Sequence, residues 1–118
     1  MIKTITKLFL TFALLTSASV AFAGERFTQV RASHILVKTA PEALQIKKDI
    51  DAGGSFERYA QLYSLCPSGK NGGDLGYFGR GMMVKEFEVP SFNEPVGTVT
   101  EPIQTQFGWH LIHVIDKK

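Results

Sequence analysis

The sequence predicts one small α+β domain that follows an amino-terminal leader. With 118 residues, of which 44% are hydrophobic, 11% aromatic and 20% charged, the chain suits a single hydrophobic core, and its composition excludes disordered and fibrous classes. Segments with the period-two pattern of strands alternate with segments that have the helical period of 3.6. Their order is strand, two or three helices, strand, short helix, strand and strand, without an internal repeat or a long linker.

The leader has the pattern of a secretory signal peptide. Lys3 and Lys7 precede an apolar run, and small residues follow it up to Ala-Phe-Ala at 21–23. This order predicts cleavage after Ala23 and an exported domain, periplasmic or secreted, over residues 24–118. A retained membrane anchor is the alternative, but it needs about 20 uninterrupted apolar residues, and threonine and serine residues dilute this run.

Outside the leader, acidic and basic side chains balance. The chain has 13 Lys and Arg against 11 Asp and Glu, and the leader holds two of these bases and no acid. We therefore expect no nucleic-acid partner and no stable membrane association after cleavage, and we expect a monomer. Cys66 is the only cysteine, so no internal disulfide can form and packing alone must stabilise the domain.

The first strand is predicted over Phe27–Lys38, because apolar side chains occupy both of its faces. Thr39 and Glu42 have the spacing of a capping box and predict a helix that ends at Gly53-Gly54. The alternation in the strand places Val30, Ala32, His34 and Leu36 on one face and Ile35 and Val37 on the other.

A second helix is predicted from Ser55, which can cap it, and it stops by Pro67. Residues 67–81 include six glycines and predict turns with at most a short strand around Tyr77 and Phe78. The predicted buried stripe of the second helix is aromatic and consists of Phe56, Tyr59, Ala60 and Tyr63.

The last third of the chain predicts a short helix and two strands. The helix covers Met83–Glu88 and is limited by Pro90, because proline disfavours helical geometry in the preceding residue. Gly97 marks a turn before a brief strand over Thr98–Thr100. The final strand covers Trp109–Ile115, with alternating residues on its two faces.

Neither nucleotide binding nor a metal site of neighbouring histidines is predicted. The glycines at 76–81 lack the spacing of a dinucleotide-binding loop, and Asn71 follows Lys70 where a P-loop needs serine or threonine. His110 and His113 have an odd separation on a strand, so their rings point to opposite faces.

Cys66, His34 and His110 form a more informative set. A cysteine with distant histidines is typical of cysteine hydrolases, in which an imidazole helps to form the thiolate nucleophile. The same residues could bind zinc, or they could be a small buried cysteine and two core histidines. Spacing alone does not decide among these interpretations.

Five motifs resemble, in order and spacing, those of the parvulin family of peptidyl-prolyl cis-trans isomerases. They are RASHILVK at 31–38, YSLCPSG at 63–69, GGDLGYF at 72–78, GMMVKEF at 81–87 and TQFGWHLI at 105–112. The resemblance covers nearly all of residues 24–118. It implies the parvulin α+β fold, a four-stranded antiparallel sheet wrapped by three to four helices.

The resemblance also implies a site. His34 and His110 are similar to the paired central histidines of the family, Cys66 stands where members carry Cys or Asp, and Thr105 supplies a hydroxyl. Hydrogen bonds among these four side chains are implied to hold the site in shape, and no cofactor or metal is implied. The residues implied to bind the substrate proline are Leu75, Met83, Phe87 and Phe107.

The implied function is non-covalent isomerisation of X-Pro bonds in unfolded or newly exported polypeptides. Phosphate-directed relatives cluster Arg and Lys after the first strand, whereas only Lys38 stands there, so no phosphate preference is expected. A non-catalytic peptide-binding module or holdase of the same fold is the alternative. Two residues depart from the family pattern. Leu65 stands at a position where many relatives have a polar residue, and Pro90 interrupts a helix that usually continues in the family.

Overall fold

A computed structural model describes residues 27–118. The predicted leader and its cleavage site lie outside the described residues. The elements in chain order are β1 Gln29–Val37, α1 Ala40–Asp51, α2 Phe56–Tyr63, a 3-10 helix Pro67–Asn71, β2 Asp74–Gly79, α3 Lys85–Asn93, β3 Ile103–Thr105 and β4 Gly108–Lys117. None of the described helices is long and apolar enough to cross a membrane.

The strands form one antiparallel sheet in the order β2-β1-β4-β3. β1 and β4 are therefore central, and their register pairs His34 with Ile112 and Leu36 with His110. This sheet confirms the predicted α+β class and the four-stranded antiparallel arrangement that the resemblance implies. The register also sets the two histidines two positions apart on neighbouring strands, close enough for their rings to meet.

The two faces of the sheet carry separate hydrophobic clusters, because side chains alternate along each strand. Helix α3 covers one face, and helices α1 and α2 cover the other. The alternation predicted for β1 is confirmed, and it places His34 on the α3 face. The α3-side cluster contains Val30, Ala32, Phe78, Phe87, Phe92, Ile112 and Val114. The opposite cluster contains Ile35, Val37, Ala43, Ile46, Phe56, Ala60 and Leu111.

Both predicted helix caps are confirmed. Thr39 Oγ1 accepts a hydrogen bond of 3.3 Å from the backbone N–H of Glu42, and Ser55 Oγ accepts one of 3.2 Å from that of Arg58. The predicted burial of Tyr63 is wrong, because its side chain is 50% exposed. As the last residue of α2, it stacks on Tyr59 at the surface instead of entering the core.

Helix α3 continues past Pro90, which contradicts the predicted limit. The missing N–H of Pro90 would have bonded to the carbonyl of Glu86, an exposed residue. The backbone bonds continue after the proline, since the N–H of Glu94 donates to the Pro90 carbonyl at 2.9 Å, and Ser91 Oγ adds a bond of 2.8 Å to the Phe87 carbonyl. Burial of Phe92 on the sheet then compensates for one lost hydrogen bond.

The third strand lies further along the chain than predicted. Thr98–Thr100 contributes only an isolated bridge between Val99 and His113, and the regular ladder begins at Ile103. Pro102 separates the two segments and has no N–H to give to a ladder. The short strand predicted around Tyr77 and Phe78 is confirmed as β2.

Candidate active site

His34 and His110 meet on the α3 face of the sheet. Their Nδ1 atoms are 3.0 Å apart, and their rings stack with centroids 5.1 Å apart and an interplanar angle of 18°. The phenyl ring of Phe87 approaches both imidazoles edge-on, with centroid distances of 5.5 Å to His34 and 5.4 Å to His110. The pairing expected from the resemblance is therefore present as a direct contact.

Thr105 extends this pair into a chain of hydrogen bonds. Its Oγ1 lies 2.8 Å from His110 Nε2 and accepts a bond of 3.1 Å from the backbone N–H of Phe107. Thr105, His110 and His34 are thus joined in one chain of hydrogen bonds, in which each imidazole uses Nδ1 for the contact with the other. The other ring nitrogen of His34, Nε2, is a buried atom without a hydrogen-bond partner among the described residues.

Burial favours the uncharged form of both imidazoles. Burial lowers the pKa of His34 to about 4, and the repulsion that would arise if both neighbouring rings were protonated lowers it further. Burial also lowers the pKa of His110. A neutral pair offers no positive charge to stabilise a thiolate or to attract a phosphate group.

A cavity of about 490 Å³ opens beside the histidines. The four residues expected to bind substrate all line this cavity. One of them, Phe87, also contacts both histidines. The full lining consists of His34, Leu36, Leu65, Cys66, Pro67, Leu75, Met82, Met83, Val84, Phe87, Phe107 and His110. No charged side chain belongs to this set, so the cavity suits an apolar group such as a proline ring.

Sequence reasoning did not select five of the lining residues. Leu36 shares the predicted face of β1 with His34, and that alternation was the signal that could have identified it. The sequence marks Leu65 only as a departure from the family. The other three, Pro67, Met82 and Val84, lie beside predicted site residues in the sequence, but only the fold turns them toward the cavity.

Cys66 lies in the cavity wall but outside the hydrogen-bond chain. Its Sγ accepts a bond of 3.2 Å from Ser68 Oγ, and within residues 27–118 neither histidine is bonded to it. The expected hydrogen bonds among all four polar site residues are therefore wrong for Cys66, because its thiol bonds to Ser68 instead. Ser64 fixes this segment against β1, since its Oγ accepts from the N–H of Leu36 at 3.1 Å and of Cys66 at 3.3 Å.

Comparison with known proteins gives one family model and many relatives. The model described as the PPIC-type PPIASE domain matches residues 21–118. The chain is 48% identical over 91 residues to the foldase protein PrsA of Geobacillus kaustophilus, a match that covers 76% of this chain and 32% of that protein. It is 49% identical over 100 residues to the foldase protein PrsA of Exiguobacterium sibiricum, covering 80% and 33%. The chain thus spans about a third of the length of these relatives.

Two solved structures are similar along most of this chain. The peptidylprolyl isomerase PrsA from Bacillus anthracis superposes with a TM-score of 0.76 at 42% identity, covering 78% of this chain and 43% of that one. NmPin, the parvulin of Nitrosopumilus maritimus, superposes with a TM-score of 0.69 at 42% identity, covering 75% of this chain and 97% of that one. The second match therefore covers nearly the whole of NmPin.

Proposed function

Because the chain belongs to the parvulin family, the PPIC-type peptidyl-prolyl isomerases, we propose that it accelerates cis-trans isomerisation of X-Pro bonds in unfolded or newly exported polypeptides. The family assignment confirms the resemblance seen in the sequence. The observation that carries the proposed activity is the uncharged cavity beside the histidine pair, since it offers a proline ring apolar walls and the adjacent amide a few polar groups.

The reaction requires no covalent bond to the enzyme. Rotation about an X-Pro bond is slow because amide resonance is lost in the twisted state, and uncatalysed exchange takes tens to hundreds of seconds. The walls formed by Leu75, Met83 and Phe87 hold the ring while the preceding carbonyl turns. An apolar surrounding disfavours the charge-separated planar amide relative to the twisted one. Lowering the barrier by about 6 kcal/mol would accelerate exchange roughly 10⁴-fold.

In this proposal the polar residues of the site do not react with the substrate; they form a rigid polar side of the cavity. Thr105 orients His110, and His110 orients His34, through the hydrogen bonds at 2.8 and 3.0 Å. Neutral imidazoles add polarity without a net charge that the twisted amide would have to accommodate. Cys66 borders the same cavity, and its thiol bonds to Ser68 rather than to a base, which supports a non-covalent role.

The substrates are proposed to be unphosphorylated. Only Lys38 and Thr39 connect β1 to α1, so there is no loop long enough to hold several basic side chains. The uncharged lining of the cavity supports the same conclusion. A phosphate group with a charge near −2 needs several Arg or Lys side chains around it to be bound.

Export is also proposed, with cleavage after Ala23. The lysines, apolar run and Ala-Phe-Ala sequence of the leader support it. The intact mass of the protein recovered from the exported fraction is expected to correspond to a chain that begins at Gly24. A membrane-bound product that retains Met1 would contradict this proposal.

The activity is tested by NMR exchange or protease-coupled assays on matched peptides. Ala-Pro and Glu-Pro peptides should exchange roughly 10⁴-fold faster at saturating enzyme than without it, and a phosphoserine-Pro peptide should exchange no faster than its Glu-Pro counterpart. A hundredfold advantage of the phosphorylated peptide would refute the substrate assignment. Binding without any acceleration would identify the chain as a non-catalytic module or holdase.

The same assay tests the non-covalent role of Cys66. A folded Cys66→Asp variant should retain substantial activity, since the resemblance implies that family members carry either Cys or Asp at this position, and Cys66→Ser should be intermediate. Complete loss in a Cys66→Asp variant with a native circular dichroism spectrum, together with a covalent adduct on Cys66 during turnover, would overturn that role.

A further inference from the structure

Glu88 is a buried carboxylate that does not line the cavity. The residue is 5% exposed, and the ion pairs within residues 27–118 involve other carboxylates, those of Asp51, Asp74 and Glu101. Burying a carboxylate without an opposite charge is costly unless hydrogen bonds compensate for the lost hydration. The hydrogen bond that Glu88 makes instead therefore indicates its role.

Glu88 connects α3 to the loop that precedes this helix. Its Oε1 accepts a hydrogen bond of 2.7 Å from the backbone N–H of Gly81. Gly81 is exposed and has a φ of +85°, and it lies in the segment 80–84 that joins β2 to α3. Bonds from a backbone N–H to a carboxylate are stronger than those between neutral groups. An exposed stretch of this loop is thus fixed by a side chain of the following helix.

The loop 80–84 forms one wall of the cavity. Met82, Met83 and Val84 are consecutive, and all three line the cavity. Met82 is 69% exposed, so packing in the core does not fix its position. At the end of the loop, the carbonyl of Val84 accepts from the N–H of Glu88 at 2.9 Å. Glu88 therefore holds the loop on both sides of the two methionines, once through its side chain and once through its backbone.

The same turn of α3 also carries the residue at the centre of the site. Phe87 lines the cavity and contacts both histidines edge-on, and Glu88 follows it directly. Successive side chains of a helix point about 100° apart, so Phe87 faces the cavity while Glu88 reaches Gly81. This turn fixes one wall of the cavity through Phe87 and another through the loop.

We propose that Glu88 is a positioning residue of the isomerase site, which holds the loop 80–84 in the conformation that receives the proline ring. This inference rests on the proposed isomerase function and adds a residue to it. Without the bond to Gly81, the loop must be ordered each time a peptide binds, and that ordering weakens binding. Once the peptide is bound, the cavity walls and the histidine pair are those of the wild type. The loss should therefore appear in KM and leave kcat nearly unchanged.

The test compares the full chain with its Glu88→Leu and Glu88→Gln variants by NMR exchange over a range of Ala-Pro peptide concentrations. Glu88→Leu removes the acceptor and should raise KM about tenfold, with kcat within about twofold of the wild type. Glu88→Gln keeps an oxygen that can accept from Gly81 and should keep KM within about threefold. A merely structural role would lower the folded fraction, and hence the apparent kcat, without changing KM.

Ser91→Ala is the matched control for these variants. Ser91 is 0% exposed in the same helix, and its Oγ bonds to the Phe87 carbonyl rather than to the loop, so KM should stay unchanged. Glu88→Asp replaces Glu88→Leu if the latter does not fold. It keeps the carboxylate but is shorter by one methylene, so it loses the bond to Gly81 and should raise KM in the same way.

Amide hydrogen exchange of Gly81 tests the contact without any activity measurement. Protection of this N–H should fall about tenfold or more in Glu88→Leu or Glu88→Asp and persist in Glu88→Gln. Unchanged protection, or a fall in kcat at unchanged KM, would refute the positioning role and leave the isomerase intact. A wild-type chain that accelerates no peptide would refute the isomerase itself, and the exchange of Gly81 would still decide whether Glu88 holds the loop.

Discussion

Replacing Phe87 with alanine is expected to lower kcat/KM for an X-Pro peptide about 100-fold or more, which corresponds to about 3 kcal/mol of lost transition-state stabilisation. Phe87 lines the cavity and touches both central imidazoles edge-on. Its removal therefore takes away a wall for the proline ring and the packing that holds His34 and His110 in place. Isomerase assays at saturating and limiting peptide measure the effect.

Phe92→Ala is the matched control for this prediction. Phe87 and Phe92 are 3% and 2% exposed and belong to the same hydrophobic cluster, but only Phe87 lines the cavity. Both truncations should lower the free energy of unfolding by about 3–5 kcal/mol. If either alanine variant is unfolded, Phe87→Leu and Phe92→Leu preserve most of the volume. Equal activity losses in the two positions would contradict the assignment of Phe87 to the site.

Most of the fold could be predicted from the sequence, because its signals are local. Alternation along β1 and β4 and the caps at Thr39 and Ser55 depend on residues a few positions apart. The errors occur where tertiary packing outweighs local preference. Pro90 is accommodated because Phe92 is buried beyond it, and β3 is defined by pairing with β4 rather than by its own three residues.

The site was predicted less completely than the fold. The family resemblance indicates His34, His110 and Thr105, and the registers of β1 and of β3 against β4 explain why they meet. The position of the Cys66 thiol depends on the path of the chain after α2, which no sequence pattern reports. Solvent exposure around the cavity mouth is likewise a property of the folded surface, which no sequence pattern reports.

Gly73 is the backbone position where a single methyl group is expected to be most damaging. It has a φ of +86° and lies against the peptide of His34, whose N–H donates to the Gly73 carbonyl at 2.9 Å. A Cβ at this position would overlap the carbonyl oxygen of His34 and approach its nitrogen to 3.2 Å. Because β1 is bonded to strands on both sides, the backbone of His34 cannot move away without breaking the sheet.

Gly73→Ala should therefore lower the free energy of unfolding by about 4 kcal/mol or more, as two costs add. A left-handed conformation costs an L-residue roughly 1–2 kcal/mol, and the displaced backbone or broken ladder accounts for the rest. Gly76→Ala isolates the first cost, since Gly76 has a φ of +73° and a Cβ there would meet nothing within 4 Å. Urea unfolding of both variants gives the comparison, and absence of a native circular dichroism spectrum for Gly73→Ala alone would agree with it. Equal losses of 1–2 kcal/mol in both variants would show that the close approach to His34 contributes nothing, because the conformational cost would then account for the whole effect.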